Sequence, residues 1–174
     1  MGAITMYGDI HFLIRRHMPE VLEIENASFS VPWTYDEMWE ACWGETAKNE
    51  PMHMALVYIV RDEVAGYAVY HLDDEKIEIL NLAIREDFRR QGIASELISS
   101  IKIKLEGSKV ARTHMIADVS EQNLEAQLLF KKNGFMATQV VHDAYGDWSS
   151  DDCYRFEWLA FESALWHTGE TSLP

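Results

Sequence analysis

The residues best suited to chemistry lie between Asn81 and Ser95, where an apolar strand runs through a basic turn into a helix. The turn reads Arg89-Arg90-Gln91-Gly92, and the helix begins after it. Backbone N–H groups in the first turn of a helix have no acceptor within the helix and lie at the positive end of its dipole, so they bind anions. Gly92 would let the backbone approach a ligand closely. The stretch therefore predicts a binding site for a pyrophosphate group.

Two widespread phosphate-binding motifs are absent from the sequence. The chain contains neither G-x-x-x-x-G-K-S/T, which marks a P-loop, nor G-x-G-x-x-G, which marks a Rossmann nucleotide site. The basic turn is therefore either another class of phosphate-binding loop or a structural turn before a helix.

One acidic residue, Glu78, lies among the apolar residues of the strand that leads into this turn. A carboxylate in an apolar setting is one way in which proteins obtain a general base that works near neutral pH. Glu78 is therefore a candidate base.

Composition limits the class of protein. With 174 residues, 48% hydrophobic residues and six Trp, the chain can form one domain with a sizeable core, so we expect a single domain over residues 1–174. Its core would span about residues 10–159, with residues 160–174 as a C-terminal tail. The net charge of −14 disfavours nucleic acid as a partner. It either suits a basic or amine-bearing partner or serves only to keep the protein in solution. No apolar run is long enough to cross a bilayer and no signal peptide is evident, so we expect a cytoplasmic protein that does not bind membranes.

The cysteines and histidines indicate no metal site. Cys42 and Cys153 are far apart and lack metal-binding spacing, and the seven His residues are scattered. We expect both cysteines to be free thiols.

The hydrophobic pattern predicts a mixed α+β domain around one sheet. A capping box at Thr34 and Glu37 marks the start of the second helix. We expect strands at residues 10–15, 54–60, 64–70, 76–84, 113–119, 135–141 and 153–159, and helices at residues 18–27, 35 to about 44, 93–107 and 123–132. The first three strands after the helix pair should form an antiparallel meander.

The basic turn resembles a family signature. Residues 89–94 match R/Q-x-x-G-x-G/A, the acyl-CoA signature of the GNAT N-acetyltransferases, and the element order is that of the GNAT fold, a single, mostly antiparallel sheet flanked by helices. Residues 25–34, with Pro32-Trp33, resemble the branch that acetylates the N-terminal alanine of a ribosomal protein. Residues 118–123, 128–130 and 133–135 resemble a further block of that branch.

This resemblance implies acetyl-CoA as the cofactor, with CoA as product. The backbone of Leu82, Ala83 and Ile84 would pair with the pantetheine arm, and one amide would polarise the thioester oxygen. Asn123 would lie against the CoA arm or cap its helix, and Phe130 would pack beside the cofactor. The pyrophosphate would be bound by Arg89, Arg90, Gln91, Gly92, Ile93, Ala94 and Ser95.

The resemblance implies two alternative candidates for the catalytic base and leaves the proton donor open. Glu78 matches the catalytic glutamate of the histone-modifying branch, whereas Asp118 matches that of the ribosomal-protein branch, so either could be the base. Most relatives have Tyr at position 130, where its hydroxyl protonates the CoA thiolate, but Phe130 carries no such proton. Tyr145 or water could replace it.

These observations predict an N-acetyltransferase in which a primary amine attacks acetyl-CoA directly, without a catalytic cysteine. A protein or peptide N-terminal α-amine is the expected acceptor, and a polyamine or other small amine is the alternative. A non-catalytic acyl-CoA-binding module is a second alternative, motivated by Phe130 and Asp118. The protein would be a monomer or homodimer.

Overall fold

The computed structural model describes residues 7–44, 52–106, 113–142 and 152–160. The chain divides into two compact units, Met1–Asp73 with Glu78–Ile101, and Asp74–Ile77 with Lys102–Pro174. The strands are β1 Asp9–Phe12, β2 Met52–Val60, β3 Glu63–Leu72, β4 Lys76–Ile84, β5 His114–Ser120, β6 Met136–Val141 and β7 Cys153–Leu159. The helices are α1 Met18–Ser28, α2 Tyr35–Trp43, α3 Ile93–Glu106 and α4 Leu124–Lys132. This order confirms the mixed α+β prediction.

In the first unit the strands follow one another in the order β1-β2-β3-β4. β1 and β2 are antiparallel, as are β2 and β3. A two-residue turn joins β2 to β3, and both its residues, Arg61 and Asp62, have positive φ values of 50° and 68°. Turns of this kind match the twist of a β-hairpin. The expected meander therefore forms, with β2 and β3 longer than predicted and β4 at its predicted bounds.

The first strand is shorter than predicted. It was expected to reach Arg15, but β1 ends at Phe12 because its pairing with β2 ends at the Phe12–Leu56 pair. Leu13 turns inward into the core, and its N–H donates to the Ala55 carbonyl oxygen at 2.9 Å. A 3-10 helix over Arg15–His17 follows and leads into α1.

The core of the first unit lies where α1 and α2 pack on the sheet. Its buried hydrophobic residues come from both helices, from three strands and from the segment after β1: Leu13, Met18, Val21, Ile24, Met38, Ala55, Val57, Val64, Tyr67, Val69 and Ala83. The capping box predicted for α2 is present, because the Glu37 N–H donates to Thr34 Oγ1 and the Thr34 N–H donates to Glu37 Oε2.

In the second unit the spatial order is β5-β7-β6, with β7 antiparallel to both neighbours. The last strand in sequence is therefore inserted between the two that precede it. α4 ends before Gly134, whose φ of 82° suits the residue that stops a helix, as predicted. The C-terminal end predicted for α3 at Gly107, the loop over residues 143–151 and the tail over residues 161–174 lie outside the described residues.

Candidate active site

The end of β4 is fixed closely against β3. A Cβ atom at Gly66 in β3 would stand 2.9 Å from the Ala83 carbonyl oxygen, so only glycine allows this approach of the two backbones. Beyond the strand, the Arg85 N–H donates to the Ala65 carbonyl oxygen at 2.9 Å. These two contacts therefore fix the position of the backbone of residues 82–84, which is predicted to bind beside the thioester.

Glu78 lies on the same face of β4 as two of these residues. The odd-numbered residues from Ile77 to Ala83 are buried, whereas Glu78, Leu82 and Ile84 alternate with them and are half-buried. Since successive side chains of a strand point to opposite faces, Glu78 shares a face with Leu82 and Ile84. The candidate base and the candidate thioester-binding strand are therefore brought together.

The loop after β4, which we call the basic loop (residues 85–92), is anchored at its start. Arg85 donates to Glu63 Oε2 at 2.7 Å and to Asp87 Oδ1 at 2.8 Å, and its guanidinium lies over the Phe88 ring. The hydrogen bonds from Arg85 lower the pKa of Asp87 below its usual range. Phe88 is buried within the short 3-10 helix Glu86–Phe88. The entry to the loop is therefore rigid.

Two side chains of the basic loop brace its backbone. Arg89 Nε donates to the Ile84 carbonyl oxygen at 3.0 Å, which ties the loop to the end of β4, and its Nη2 reaches Ser28 Oγ at 3.4 Å. Gln91 Nε2 donates to the Asp87 carbonyl oxygen at 3.0 Å. Arg90 is exposed and adopts a positive φ of 63°. The side chains of Arg89 and Gln91 therefore position the loop, and the Arg90 side chain lies on its surface.

The last residue of the loop leaves room for a ligand. Gly92 has a φ of 93°, and a Cβ atom added there would meet nothing within 4 Å. Ile93 is buried and anchors the start of α3, whose first hydrogen bond runs from the Glu96 N–H to the Gly92 carbonyl oxygen at 3.1 Å. The amides of Ile93 and Ala94 precede that bond, at the positive end of the helix dipole. The open space beside these amides fits an anion such as a pyrophosphate.

In the second unit, Asp118 forms an ion pair. Asp118 on β5 lies directly opposite Arg155 on β7, and its two carboxylate oxygens accept from Arg155 Nε at 2.8 Å and from Nη2 at 2.6 Å. The two side chains are only 20% and 26% exposed. Both carboxylate oxygens of Asp118 are therefore engaged by a guanidinium. This pairing was not predicted from the sequence, because the two residues are 37 positions apart.

The remaining predicted residues of the second unit have structural contacts. Asn123 caps α4, since its Oδ1 accepts from the Ala126 N–H at 3.1 Å. Phe130 is 5% exposed and packs edge-on against Phe135 and parallel to Phe156, at centroid distances of 5.1 and 6.0 Å. These rings cover most of its surface. Tyr145, the candidate proton donor, lies outside the described residues.

Sequence reasoning missed a buried polar network in the first unit. The Glu25 carboxylate accepts from the Tyr67 hydroxyl, from Asn81 Nδ2 and from the Trp33 N–H. Burial raises the pKa of the Tyr67 phenol and the Glu25 charge raises it further, so Tyr67 stays protonated and donates. Two features of the sequence could have revealed the network. Glu25 lies four residues after buried Val21, on the apolar face of α1, and Asn81 is a polar residue among the apolar residues that alternate along the buried face of β4.

Metal and membrane sites are not evident in the described part of the chain. Across residues 7–44, 52–106, 113–142 and 152–160, no group of three or more His, Cys, Asp or Glu side chains is arranged to bind a metal ion. None of the helices within those ranges is long and apolar enough to cross a bilayer.

Comparison with known proteins identifies the family. The acetyltransferase (GNAT) family matches residues 18–135. The chain belongs to the GNAT acetyltransferase family. It has the GNAT fold, it is an N-acetyltransferase, and acetyl-CoA is its co-substrate. The alternative of a non-catalytic module is therefore not favoured.

Individual relatives agree with this GNAT assignment. A Bacillus subtilis (strain 168) protein, provisionally named ribosomal protein bS18-alanine N-acetyltransferase, is 31% identical over 75% of this chain and 82% of its own length. The Escherichia coli ribosomal-protein-S18-alanine N-acetyltransferase superposes with a TM-score of 0.72 at 18% identity, over 88% of this chain and 94% of that one. Arabidopsis thaliana NAA60 in complex with acetyl-CoA gives 0.74 at 16% identity, over 88% and 98% of the two chains.

Proposed function

We propose that this GNAT enzyme transfers the acetyl group of acetyl-CoA to the N-terminal α-amine of a protein or peptide in the cytoplasm. We base the acceptor on the 31% identity to the Bacillus subtilis protein, whose name specifies N-acetylation of an alanine of ribosomal protein bS18. The Pro-Trp loop of this chain (residues 29–34) supports this acceptor, because its sequence resembles the corresponding loop of that branch. The loop is held in place by the Trp33 N–H, which donates to Glu25 at 2.7 Å.

The basic loop and the start of α3 would bind the pyrophosphate of acetyl-CoA. The amides of Ile93 and Ala94 and the open space at Gly92 suit a phosphate group, while Arg89 and Gln91 hold the loop in shape. Arg90 would add positive charge from the surface. Asn123 and Phe130 stay predictions as residues that contact CoA.

The backbone of residues 82–84 would bind beside the thioester, and its fixed position against β3 suits that role. Acetyl-CoA supplies an acyl group activated as a thioester. Preorganised backbone donors stabilise the charge that develops on a carbonyl oxygen during such a transfer. Gly66 contributes indirectly, because it allows β3 to hold this backbone in place.

Glu78 is the general base in this proposal. It would remove the proton that the attacking amine loses, and it shares the β4 face with Leu82 and Ile84. Asp118 is the alternative, but it would have to leave the Arg155 ion pair to accept a proton. Tyr145 or water would protonate the departing thiolate.

The acceptor class can be tested directly. The purified enzyme is given acetyl-CoA with three substrates in turn: a peptide with a free α-amine and no lysine, the same peptide with a blocked N-terminus and one added lysine, and a polyamine. We expect kcat/KM to be highest for the free α-amine. Preferred transfer to the polyamine, with a rate that falls as ionic strength rises, would instead establish a small-amine acetyltransferase.

A further inference from the structure

Glu25 is a buried carboxylate with neutral partners. Its side chain is 1% exposed, and the groups that donate to it are the Tyr67 hydroxyl, the Asn81 amide and the backbone N–H of Trp33. Burying a carboxylate is costly unless hydrogen bonds replace its hydration, and here three donors do so without a cation. An apolar residue would fill this position of α1 without that cost, which makes the carboxylate a candidate for a role besides core stability.

The partners of Glu25 belong to segments that are far apart in sequence. Asn81 donates to both carboxylate oxygens at 3.2 Å and directly precedes residues 82–84 on β4. Tyr67 lies on β3, and Trp33 lies in the Pro-Trp loop. One carboxylate thus fixes the distance between the Pro-Trp loop and the strand that would bind the thioester.

A second carboxylate, that of Glu37, holds the Pro-Trp loop at Thr34, the residue after Trp33. The Trp33 N–H donates to Glu25 Oε1, and the Thr34 N–H donates to Glu37 Oε2, both at 2.7 Å. Pro32, which precedes them, has no N–H and a fixed φ. The Trp33 side chain packs against the core of the first unit. The backbone at Trp33 therefore has one defined position, and Glu25 supplies the contact that links it to β4.

We propose that Glu25 is a positioning residue for the acceptor: it holds the Pro-Trp loop at a fixed distance from β4, so that an amine bound at the loop is aligned for acetyl transfer. This rests on the proposed function, since it assumes that the Pro-Trp loop contacts the acceptor. Glu25 does not touch the reacting atoms. It acts through the Trp33 backbone on one side and Asn81 on the other. Small losses of alignment have large effects on transfer between two bound substrates.

The test compares Glu25→Ala and Glu25→Gln with the wild-type enzyme. Glu25→Ala removes both carboxylate oxygens that accept in the network and leaves only the contact between the Tyr67 hydroxyl and Asn81 Oδ1. We expect it to raise the KM for the acceptor peptide by about 10-fold or more and to lower kcat. The KM for acetyl-CoA should change by less than about 2-fold, because the basic loop keeps its own contacts. Glu25→Gln retains one oxygen that can accept from the Trp33 N–H, so it should recover most of the acceptor affinity.

A second measurement does not depend on activity. Hydrogen exchange at the Trp33 amide should be slow in the wild type, faster in Glu25→Ala and intermediate in Glu25→Gln. Val21→Ala, one turn earlier on the same buried face of α1, is the matched control, because Val21 is apolar and cannot join the network. It should lower the thermal stability without changing the ratio of the two KM values.

The outcomes separate the positioning role from the proposed function. Unchanged exchange at Trp33 in Glu25→Ala, or equal KM changes in Glu25→Ala and Val21→Ala, would overturn the role of Glu25. A wild-type enzyme that acetylates no peptide α-amine but does acetylate a polyamine would overturn the proposed function instead. The KM for that polyamine would then be compared in the same variants, and an unchanged value in Glu25→Ala would reject the positioning role as well.

Discussion

The basic loop and the region around Asp118 use their polar side chains differently. In the basic loop, arginine and glutamine side chains brace the main chain, and the open space beside Gly92 and the helix amides is left for a ligand. In the region around Asp118, both carboxylate oxygens are paired with Arg155, and the Phe130 ring is packed against Phe135 and Phe156. The basic loop thus leaves backbone donors open to a ligand, whereas the side chains at Asp118 and Phe130 are engaged with their neighbours.

If Glu78 rather than Asp118 is the base, its replacement should have the largest effect. We expect Glu78→Gln to lower kcat by about 10²-fold or more, since an amide cannot accept the proton of the amine. The acidic limb of the pH profile of kcat/KM should disappear, while acetyl-CoA affinity measured by calorimetry stays unchanged. Glu23→Gln, which removes an exposed carboxylate from α1, is the control for net charge. Full activity in Glu78→Gln from pH 6 to 9 would eliminate Glu78 as the base.

The second-largest effect is expected for a substitution at Gly92. Gly92→Ala forces an L-residue into a φ of 93° and places a methyl group in the open space beside the α3 amides. We expect acetyl-CoA to bind about 30-fold more weakly, which corresponds to roughly 2 kcal/mol.

Gly134→Ala is the matched control for this strain. Gly134 has a similar φ of 82°, and its added Cβ would make an ordinary contact of 3.7 Å with Trp158. It should lower stability and leave acetyl-CoA affinity unchanged. Equal losses of affinity in the two variants would show that backbone strain, not occupation of the ligand space, explains the result.

A smaller effect on activity is expected at the Asp118–Arg155 pair. Asp118→Asn and Arg155→Gln should each reduce the free energy of unfolding by about 1–3 kcal/mol, because each removes a bidentate, charge-assisted contact between two partly buried side chains. The double variant should lose less than the sum of the two, as measured by urea unfolding. We expect kcat to fall less than about 10-fold in all three. Loss of turnover in Asp118→Asn alone would make Asp118 the base and remove the contrast with the basic loop.

The smallest effect is expected at the cysteines. Burial raises the pKa of the Cys42 thiol to about 11, and Cys153 is fully buried. At pH 8 only about one Cys42 thiol in a thousand would be ionised, so it is a poor nucleophile. Cys42→Ala and Cys153→Ala should therefore keep the wild-type kcat. An acetylated cysteine trapped by acid quench, together with loss of turnover in one variant, would contradict direct attack by the amine.

Features set by neighbouring residues could be predicted from the sequence. The capping box at Thr34, the glycine that stops α4 and the strand, turn and helix around Gly92 depend on residues a few positions apart. Features set by distant residues could not. Asp118 and Arg155 are 37 residues apart, and Glu25 is 42 and 56 residues from Tyr67 and Asn81. The insertion of β7 between β5 and β6 likewise depends on the whole second unit, because both its neighbours precede it in sequence.

The most direct test of the account uses one peptide that carries both a free N-terminal α-amine and one lysine. The wild-type enzyme acetylates it under conditions of a single turnover, and fragmentation by mass spectrometry locates the acetyl group. We expect the acetyl group on the α-amine. Acetylation of the lysine alone, or no transfer while acetyl-CoA binds tightly, would contradict the proposed function.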